Sequence, residues 1–517
     1  MRRYIFMGVF FAGCASLAVE LSASRLLGNY FGSSNLVWAA IIGLVLIYLS
    51  IGYSLGGKWA DKSPHAKTFF SILLWASLFI GLVPLASRPI LRMASQFFDQ
   101  LRMAELIGSF VSVLLLFGLP VTLLGTASPF AVRLALENKE SSGHMAGKIY
   151  TLSTLGSFIG TFLPVLVLIP SIGTYRTFLV ICAMLMIPSF IGMWATVSPS
   201  TALRFLWMPL VVIFASLIGL NGLDKSAENI ILEDESAYNY IQVQEIDGYR
   251  ILRLNEGQGI HSIYHPQIDN YNGPWEQVLV APFFYPPSEN PLNVQRIAIL
   301  GLAAGTSARQ AAKVFPNATI DGYEIDPEIV NIGYQLFDMG VENLAVYVKD
   351  ARVGISQSNQ QYDIVSVDAY RPPYIPWHLT TKEFFTEVDQ HLTDKGTVVI
   401  NVARIFDDRR LVDTLYTTIS SVFPSAYVID IPNTLNTIIF ATKKPTEFNN
   451  LLLNYLQISE DKNSSEILIN ALEIAILNQK PNPSNSILLT DDYAPVEKIT
   501  NSMIYELFFS EKIEGLQ

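Results

Sequence analysis

The sequence predicts two folds in one chain: a multi-pass α-helical membrane domain, then an α/β doubly wound domain that opens with a small β subdomain. Three observations carry this reading. Half of the 517 residues are apolar and the mean hydropathy is +0.34, too apolar for an ordinary soluble protein and too long for one domain. Charge divides the chain near residue 222: the first part holds 14 Lys/Arg and 6 Asp/Glu, the remainder 20 and 39. After that point the long apolar runs give way to short ones that alternate between strand-like and helix-like patterns. The expected divisions are 1–222, 223–290, 291–450 and 451–517, the last a helical tail.

Runs of about 20 apolar residues lie near 4–28, 36–57, 69–87, 106–130, 149–170, 177–197 and 204–222, each long enough to cross roughly 30 Å of hydrocarbon as a helix. The opening MRRYIFMGVFFAGCASLAVELSASRLL lacks a convincing cleavage site and reads as the first crossing. With the N-terminus inside, nine Lys/Arg fall on cytoplasmic segments and four on the opposite side, a bias that favours that orientation. The basic stretch RPILRMASQFFDQLRMA at 88–104 is amphipathic and is expected in the interface. Glu20 and Arg25 fall inside the first run. Ionisable groups at that depth cost several kcal/mol unless paired or wetted, so both are functional candidates; the plainer reading is a snorkelling Arg25 and a paired Glu20. The segment GGKWADK at 56–62 resembles the loop after the second helix of major-facilitator transporters. Cys14 and Cys182 both lie in apolar runs, which leaves no disulfide framework or thiolate cluster.

In the second half, SAYNYIQVQEIDGYRILRLNEGQGIHSIYH alternates apolar and polar residues around Asp247-Gly248, a hairpin followed by a further strand. A Pro-rich stretch leads into RIAILGLAAGTSARQAAKVF, which reads as buried strand, glycine turn and helix. Strand-like ATIDGYEID, LAVYVKD, YDIVSVD and GTVVINV follow with helix-like segments between, giving a doubly wound parallel sheet. SAYVIDI and NTIIFATK, two residues apart at Pro432 and Asn433, fit an antiparallel pair at one sheet edge.

Gly301 and Gly305 end the first strand of that sheet, where a loop without bulky side chains lets backbone approach a nucleotide. Glu324 ends the second strand, 19 residues after Gly305, where a carboxylate can accept two ribose hydroxyls. Asp350-Ala351 closes the third strand, where an acid can receive the adenine amino group, and Asp368 closes the fourth, facing the ligand crevice of such sheets. The competing reading is that these acids only cap the following helices.

Together these pieces resemble a spermidine synthase over 236–405, and the whole chain resembles bacterial membrane proteins in which about seven helices precede such a domain. The motifs are YNYIQV followed by LRLNEG, then GPWEQVL, GLAAGT, YEID, KDA and VDAY. The resemblance implies an AdoMet-methyltransferase-like fold and a sulfonium donor, decarboxylated AdoMet or AdoMet, with no metal. It assigns ribose to Glu324, adenine to Asp350 and the general base to Asp368, and implies aminopropyl transfer to a polyamine or to another small-molecule or lipid-borne acceptor. Gln258, Glu276, Tyr370 and Arg371 are the acceptor-side candidates. It also implies a globular half on the cytoplasmic side, which conflicts with seven crossings and an internal N-terminus.

The chain departs from that family at telling positions. Ala304 stands where the family pairs an Asp with the ammonium of decarboxylated AdoMet, Arg371 replaces the second acid of its D-x-x-D loop, and Pro274-Trp275 replace its Tyr and His/Gln before Glu276. Two anions lost and one cation gained favour AdoMet itself, and with it methyl or aminocarboxypropyl transfer. His261, His265, His378 and His391 lack ligand spacing and read as surface or structural. No basic patch points to nucleic acid. The rival class is a transporter with a nucleotide-sensing domain, motivated by Glu20, Arg25 and GGKWADK.

Overall fold

The computed structural model describes residues 1–31, 35–99, 107–135, 142–220, 229–255, 259–371, 374–405, 407–461, 464–483 and 486–509. The chain divides into two compact units, Met1–Ala227 with Glu235–Ala237, and Glu228–Asp234 with Tyr238–Gln517.

Among the described residues of the first unit, seven helices are long and apolar enough to cross a membrane: α1 (Arg2–Phe31), α2 (Val37–Lys62), α3 (Ala66–Ala94), α4 (Ser109–Ala135), α5 (Gly143–Ile172), α6 (Thr174–Thr196) and α7 (Pro199–Gly219). Helix α1 packs against α5 and α6, α2 against α4, and α3 against α4, α6 and α7. Small residues allow backbone contact in place of side-chain interdigitation. A Cβ on Gly156 would sit 2.0 Å from the Phe10 carbonyl oxygen, and one on Gly160 2.1 Å from that of Cys14.

One expectation for this unit is corrected. GGKWADK is not a loop: residues 56–62 are the last turns of α2, where a Cβ on Gly56 would meet the Thr126 backbone at 2.6 Å, so Gly56 serves helix packing. Residues 88–99 continue the third helix past Pro84 and Pro89. Arg88 donates to the Gly219 carbonyl at 2.6 Å and stacks 4.5 Å from the Tyr175 ring, which ties that extension to its neighbours. Residues 100–106 lie outside the described part. Arg25 is paired: its Nε lies 3.0 Å from Glu235 Oε1, and its guanidinium donates to the Ser236 carbonyl at 2.6 Å.

The second unit starts with a four-stranded sheet, β1 (Ile230–Glu235), β2 (Tyr240–Ile246), β3 (Tyr249–Leu254) and β4 (Ser262–Tyr264), in that order. Asp247 and Gly248 turn the β2–β3 hairpin with φ of 51° and 83°, the double left-handed turn that matches strand twist. Strand β1 was not anticipated. Eight further strands form the large sheet: β5 (Arg296–Leu300), β6 (Thr319–Glu324), β7 (Leu344–Val348), β8 (Tyr362–Val367), β9 (Leu392–Ala403), β10 (Ser425–Asp430), β11 (Asn436–Thr442) and β12 (Gln479–Lys480). Their order is β12-β10-β11-β9-β8-β5-β6-β7. Strands β5 to β9 pair in parallel, whereas β11 runs antiparallel to both β9 and β10. The expected antiparallel pair is there, but its turn spans 431–435, because β10 stops at Asp430 and Thr434 folds back onto the Ile431 carbonyl.

Among its described residues this unit has eight α-helices: α8 (Thr306–Val314), α9 (Pro327–Leu336), α10 (Ala351–Ser356), α11 (Lys382–Gln390), α12 (Arg410–Ser420), α13 (Asn449–Glu460), α14 (Glu466–Leu477) and α15 (Val496–Phe509). They cover both sheet faces, α8, α13 and α14 contributing to one apolar core and α10, α11, α12 and α15 to the other. The 3₁₀ segment Trp275–Phe284 is buried from Glu276 to Phe284 and joins the first of these cores, so this part of 223–290 serves the large sheet. The chain leaves β5 toward β6 and β7 on one side and returns to β8 and β9 on the other, which opens a crevice at the C-terminal ends of β5 and β8.

Candidate active site

The loop after β5 has to bend sharply. Gly301 has φ +93°, and a Cβ there would stand 2.5 Å from the Asp368 carbonyl oxygen, so only glycine fits between the two strand ends. Gly305 has φ +85°, with Met339 filling the space a side chain would need. Between them the Ala303 N–H donates to Glu324 Oε2 at 2.9 Å and the Ala304 N–H to Ser262 Oγ at 3.0 Å. The loop is thus tied on one side to the end of β6 and on the other to β4 of the small sheet. Thr306 and Arg309 of α8 add hydrogen bonds to Ile263, all within 2.9 Å.

Glu324 is buried, with its second oxygen accepting the Asp326 N–H at 3.0 Å. Burial pushes its carboxyl up to about 7, against the pull of those backbone donors. It caps no helix; that role falls to Asp326, whose side chain accepts the Glu328 N–H. Asp350 does cap, accepting the Val353 N–H at 3.0 Å and placing Ala351 at the first position of α10. Its other oxygen lies 3.0 Å from His378 Nε2, and this contact holds the carboxyl below its ordinary range. A carboxylate offers about four acceptor sites, so capping and a ligand contact are compatible. Ile325, Val353 and Trp377, next in sequence to or bonded through these acids, are 39–47% exposed, as apolar side chains around a flat ring site would be.

Asp368 is partly accessible and caps nothing. Its Oδ1 accepts the Asn401 side-chain N–H at 2.9 Å, and burial pushes its carboxyl up to about 6. The Asn401 Oδ1 is buried without a partner among the described residues. Because Asp368 requires the NH₂ end of the amide, that orphaned oxygen is fixed in place.

The acceptor-side candidates divide. Glu276 is buried and fully engaged: it accepts the Tyr271 and Gly273 N–H groups and the Gln310 amide at 2.7–2.9 Å, and burial raises its carboxyl. It shapes the 271–276 turn. The Tyr370 hydroxyl donates to the Asn401 carbonyl at 3.0 Å and accepts the Ala403 N–H at 2.8 Å, which fastens the loop after Asp368 to β9. Arg371 is exposed, its backbone paired with that of Tyr374. Gln258 lies outside the described residues.

Sequence reasoning missed three residues. His378 sits 28 positions beyond Asp350 in a short 3₁₀ turn, with no local signal. Asn401 is the lone amide in the apolar run TVVINV, and that break in the pattern was the available clue. Arg352 donates to Glu387, Asp491 and the His378 carbonyl at 2.6–3.2 Å, so the segment holding Asp491 is clamped beside the third strand end.

Residues 283–454 match the spermine/spermidine synthase domain. The chain is 33% identical over 297 residues to the probable polyamine aminopropyl transferase of Bifidobacterium longum, covering 55% of this chain and 65% of that protein. It is 31% identical over 233 residues to the polyamine aminopropyltransferase of Vibrio vulnificus, covering 43% of this chain and 75% of the relative. The chain belongs to the polyamine aminopropyltransferase family. That family is one of transferases, and its Aquifex aeolicus member named polyamine aminopropyltransferase 2 is 23% identical over 463 residues, 86% of this chain. So long a match needs more than the globular half alone and reaches into the helices.

Proposed function

We propose that this aminopropyltransferase-family protein is a multi-pass membrane enzyme that moves an alkyl group from an AdoMet-type sulfonium to an amine. The observation that carries the reading is the Asp368–Asn401 pair: a carboxylate beside an amide oxygen that lacks a donor. A primary amine can donate an N–H to the partly accessible Asp368 carboxylate, which the buried Asn401 amide holds in place. The amine nitrogen attacks the sulfonium carbon in line, the C–S bond breaks with its electron pair going to sulfur, and the proton lost from nitrogen passes to Asp368. A base with pKa near the working pH suits that task, and the rest of the acceleration comes from positioning. Glu324 would take the ribose hydroxyls, Asp350 and Ala351 the adenine edge, and Gly301 and Gly305 the close backbone approach.

Family membership supports aminopropyl transfer from decarboxylated AdoMet. A second reading, AdoMet as donor with methyl or aminocarboxypropyl transfer, has one specific observation behind it: Ala304 is wholly buried and leaves no acid in the glycine loop for a donor ammonium. The test is incubation of the full chain in its native lipids with each donor and a polyamine, read by mass spectrometry. Methylthioadenosine from decarboxylated AdoMet supports the first reading, and methylthioadenosine or S-adenosylhomocysteine from AdoMet the second. Absence of both products with either donor overturns the enzyme reading. The globular half would face the cytoplasm, where such donors are made; a C-terminal reporter active only outside the cell would reverse that.

A further inference from the structure

The helical unit holds a carboxylate that the transfer chemistry does not use. Glu20 lies about 5 Å along the axis from the midpoint of α1 at 1.5 Å per residue, well inside a hydrocarbon layer about 30 Å thick. Among the described residues it has no hydrogen-bond or ion-pair partner. One turn earlier on the same side, Ser16 is 7% exposed and its Oγ is also unpartnered. Two unsatisfied polar groups at that depth cost several kcal/mol.

The surroundings show where a ligand fits. From residue 12 to 31, α1 is buried except at Leu17, Glu20, Leu21, Ser24, Arg25 and Gly28, and these fall on one side of a helix that turns 100° per residue. A Cβ on Gly28 would meet nothing within 4 Å, whereas one on Gly13 would strike the Ser153 carbonyl at 2.2 Å. Helix α5 fills this flank lower down, with Gly156 against Phe10 and Gly160 against Cys14. Equal rise along the two helices sets Leu166 opposite Glu20, and there α5 becomes π-helical, over Pro164–Leu168. Such a turn redirects a helix axis: α5 still touches α1 along Pro164–Leu168 but no longer packs closely on it over Ile169–Ile172, which leaves a groove beside α1 that runs from the carboxylate toward Gly28.

We infer that this groove binds a membrane-borne amphiphile carrying one ammonium group, with Glu20 as its counter-ion. One carboxylate neutralises one cation, so a free polyamine would leave unpaired charge in hydrocarbon. A hard metal cation needs six or more oxygens, more than Glu20, Ser16 and Ser24 offer. Leu17 and Leu21 flank the acid and suit an alkyl chain. The proposal is independent of which group the globular half transfers.

The test uses the full chain in dodecyl maltoside, which carries no amine. Dicyclohexylcarbodiimide reacts with protonated carboxyls in apolar surroundings, and its adduct on Glu20 is quantified by peptide mass spectrometry. Dodecylammonium is expected to slow labelling by about tenfold, the ratio that corresponds to 1.4 kcal/mol, while dodecanol and spermidine leave it unchanged. Gly28→Leu, which fills the groove without touching the carboxylate, should label as the parent does and lose the protection. Equal protection by dodecanol or by spermidine, protection that survives in Gly28→Leu, or a Glu20 that never labels between pH 5 and 9 would each overturn the proposal.

Discussion

Asn401 donates its side-chain N–H to Asp368 Oδ1 across 2.9 Å, from the neighbouring parallel strand. The bond stabilises the ionised carboxylate and opposes the burial that lifts it to about 6. As a base, Asp368 works only when deprotonated, so kcat/KM should rise with pH through about 6 and then level. Asn401→Ala removes the opposing donor, which moves that limb to higher pH and, at one charged hydrogen bond of about 1.5–3 kcal/mol, lowers kcat/KM roughly 10–100-fold at pH 7. A pH–rate profile checks both. A limb that stays in place in the variant would show that Asp368 is not the titrating base.

His378 orients Asp350 and does not block it, because Val353 and His378 use only two of the carboxylate's acceptor positions. His378→Ala should therefore raise the donor KM by about three- to tenfold, the loss of roughly 1 kcal/mol of positioning, with kcat nearly unchanged. Steady-state kinetics with the donor varied decides the matter. A lowered KM would mean that the imidazole competes with adenine.

Arg352 joins α10, α11, the His378 turn and Asp491 through one guanidinium. Its fork is the reason a lysine cannot substitute. Arg352→Lys should keep the charge yet release the Asp491 segment, seen as faster amide exchange over 486–496, with a loss of about 1–3 kcal/mol for this partly exposed network. Unchanged exchange there would assign the tie to Thr381, which also holds Asp491.

What the sequence made legible were features written in one stretch of chain. Strand-end acids announce themselves because a polar residue closes an apolar run: Glu324 is the last residue of β6, Asp368 the first after β8 and Asp350 the second after β7. The partners of these acids come from afar, His378 from a turn and Asn401 from another strand, and nothing in local periodicity joins positions 28 or 33 apart. Glu276 looked like a ligand-facing acid and turned out to hold Tyr271, Gly273 and Gln310, since burial beside three donors is invisible in composition. Glycine misled in the membrane half. The pair in GGKWADK reads as a flexible loop by propensity, but Gly56 is a contact surface for Thr126, and tertiary packing overrides propensity in such helices.

The same packing yields a sharp stability test. Gly156 and Gly160 are one turn apart on α5 and touch the backbone of α1 so closely that any Cβ lands 2.0–2.1 Å from a carbonyl oxygen. Backbone cannot yield as a flexible side chain does, so the helices have to separate, and the dispersion contacts along that seam weaken together. Gly156→Val and Gly160→Val should each lower the detergent-solubilised melting temperature and reduce membrane yield, with the double variant worse than either. Gly147→Val on the same helix, where an added Cβ meets nothing within 4 Å, should leave both unchanged. Equal loss at all three positions would point to the helix propensity of valine and not to the α1–α5 seam.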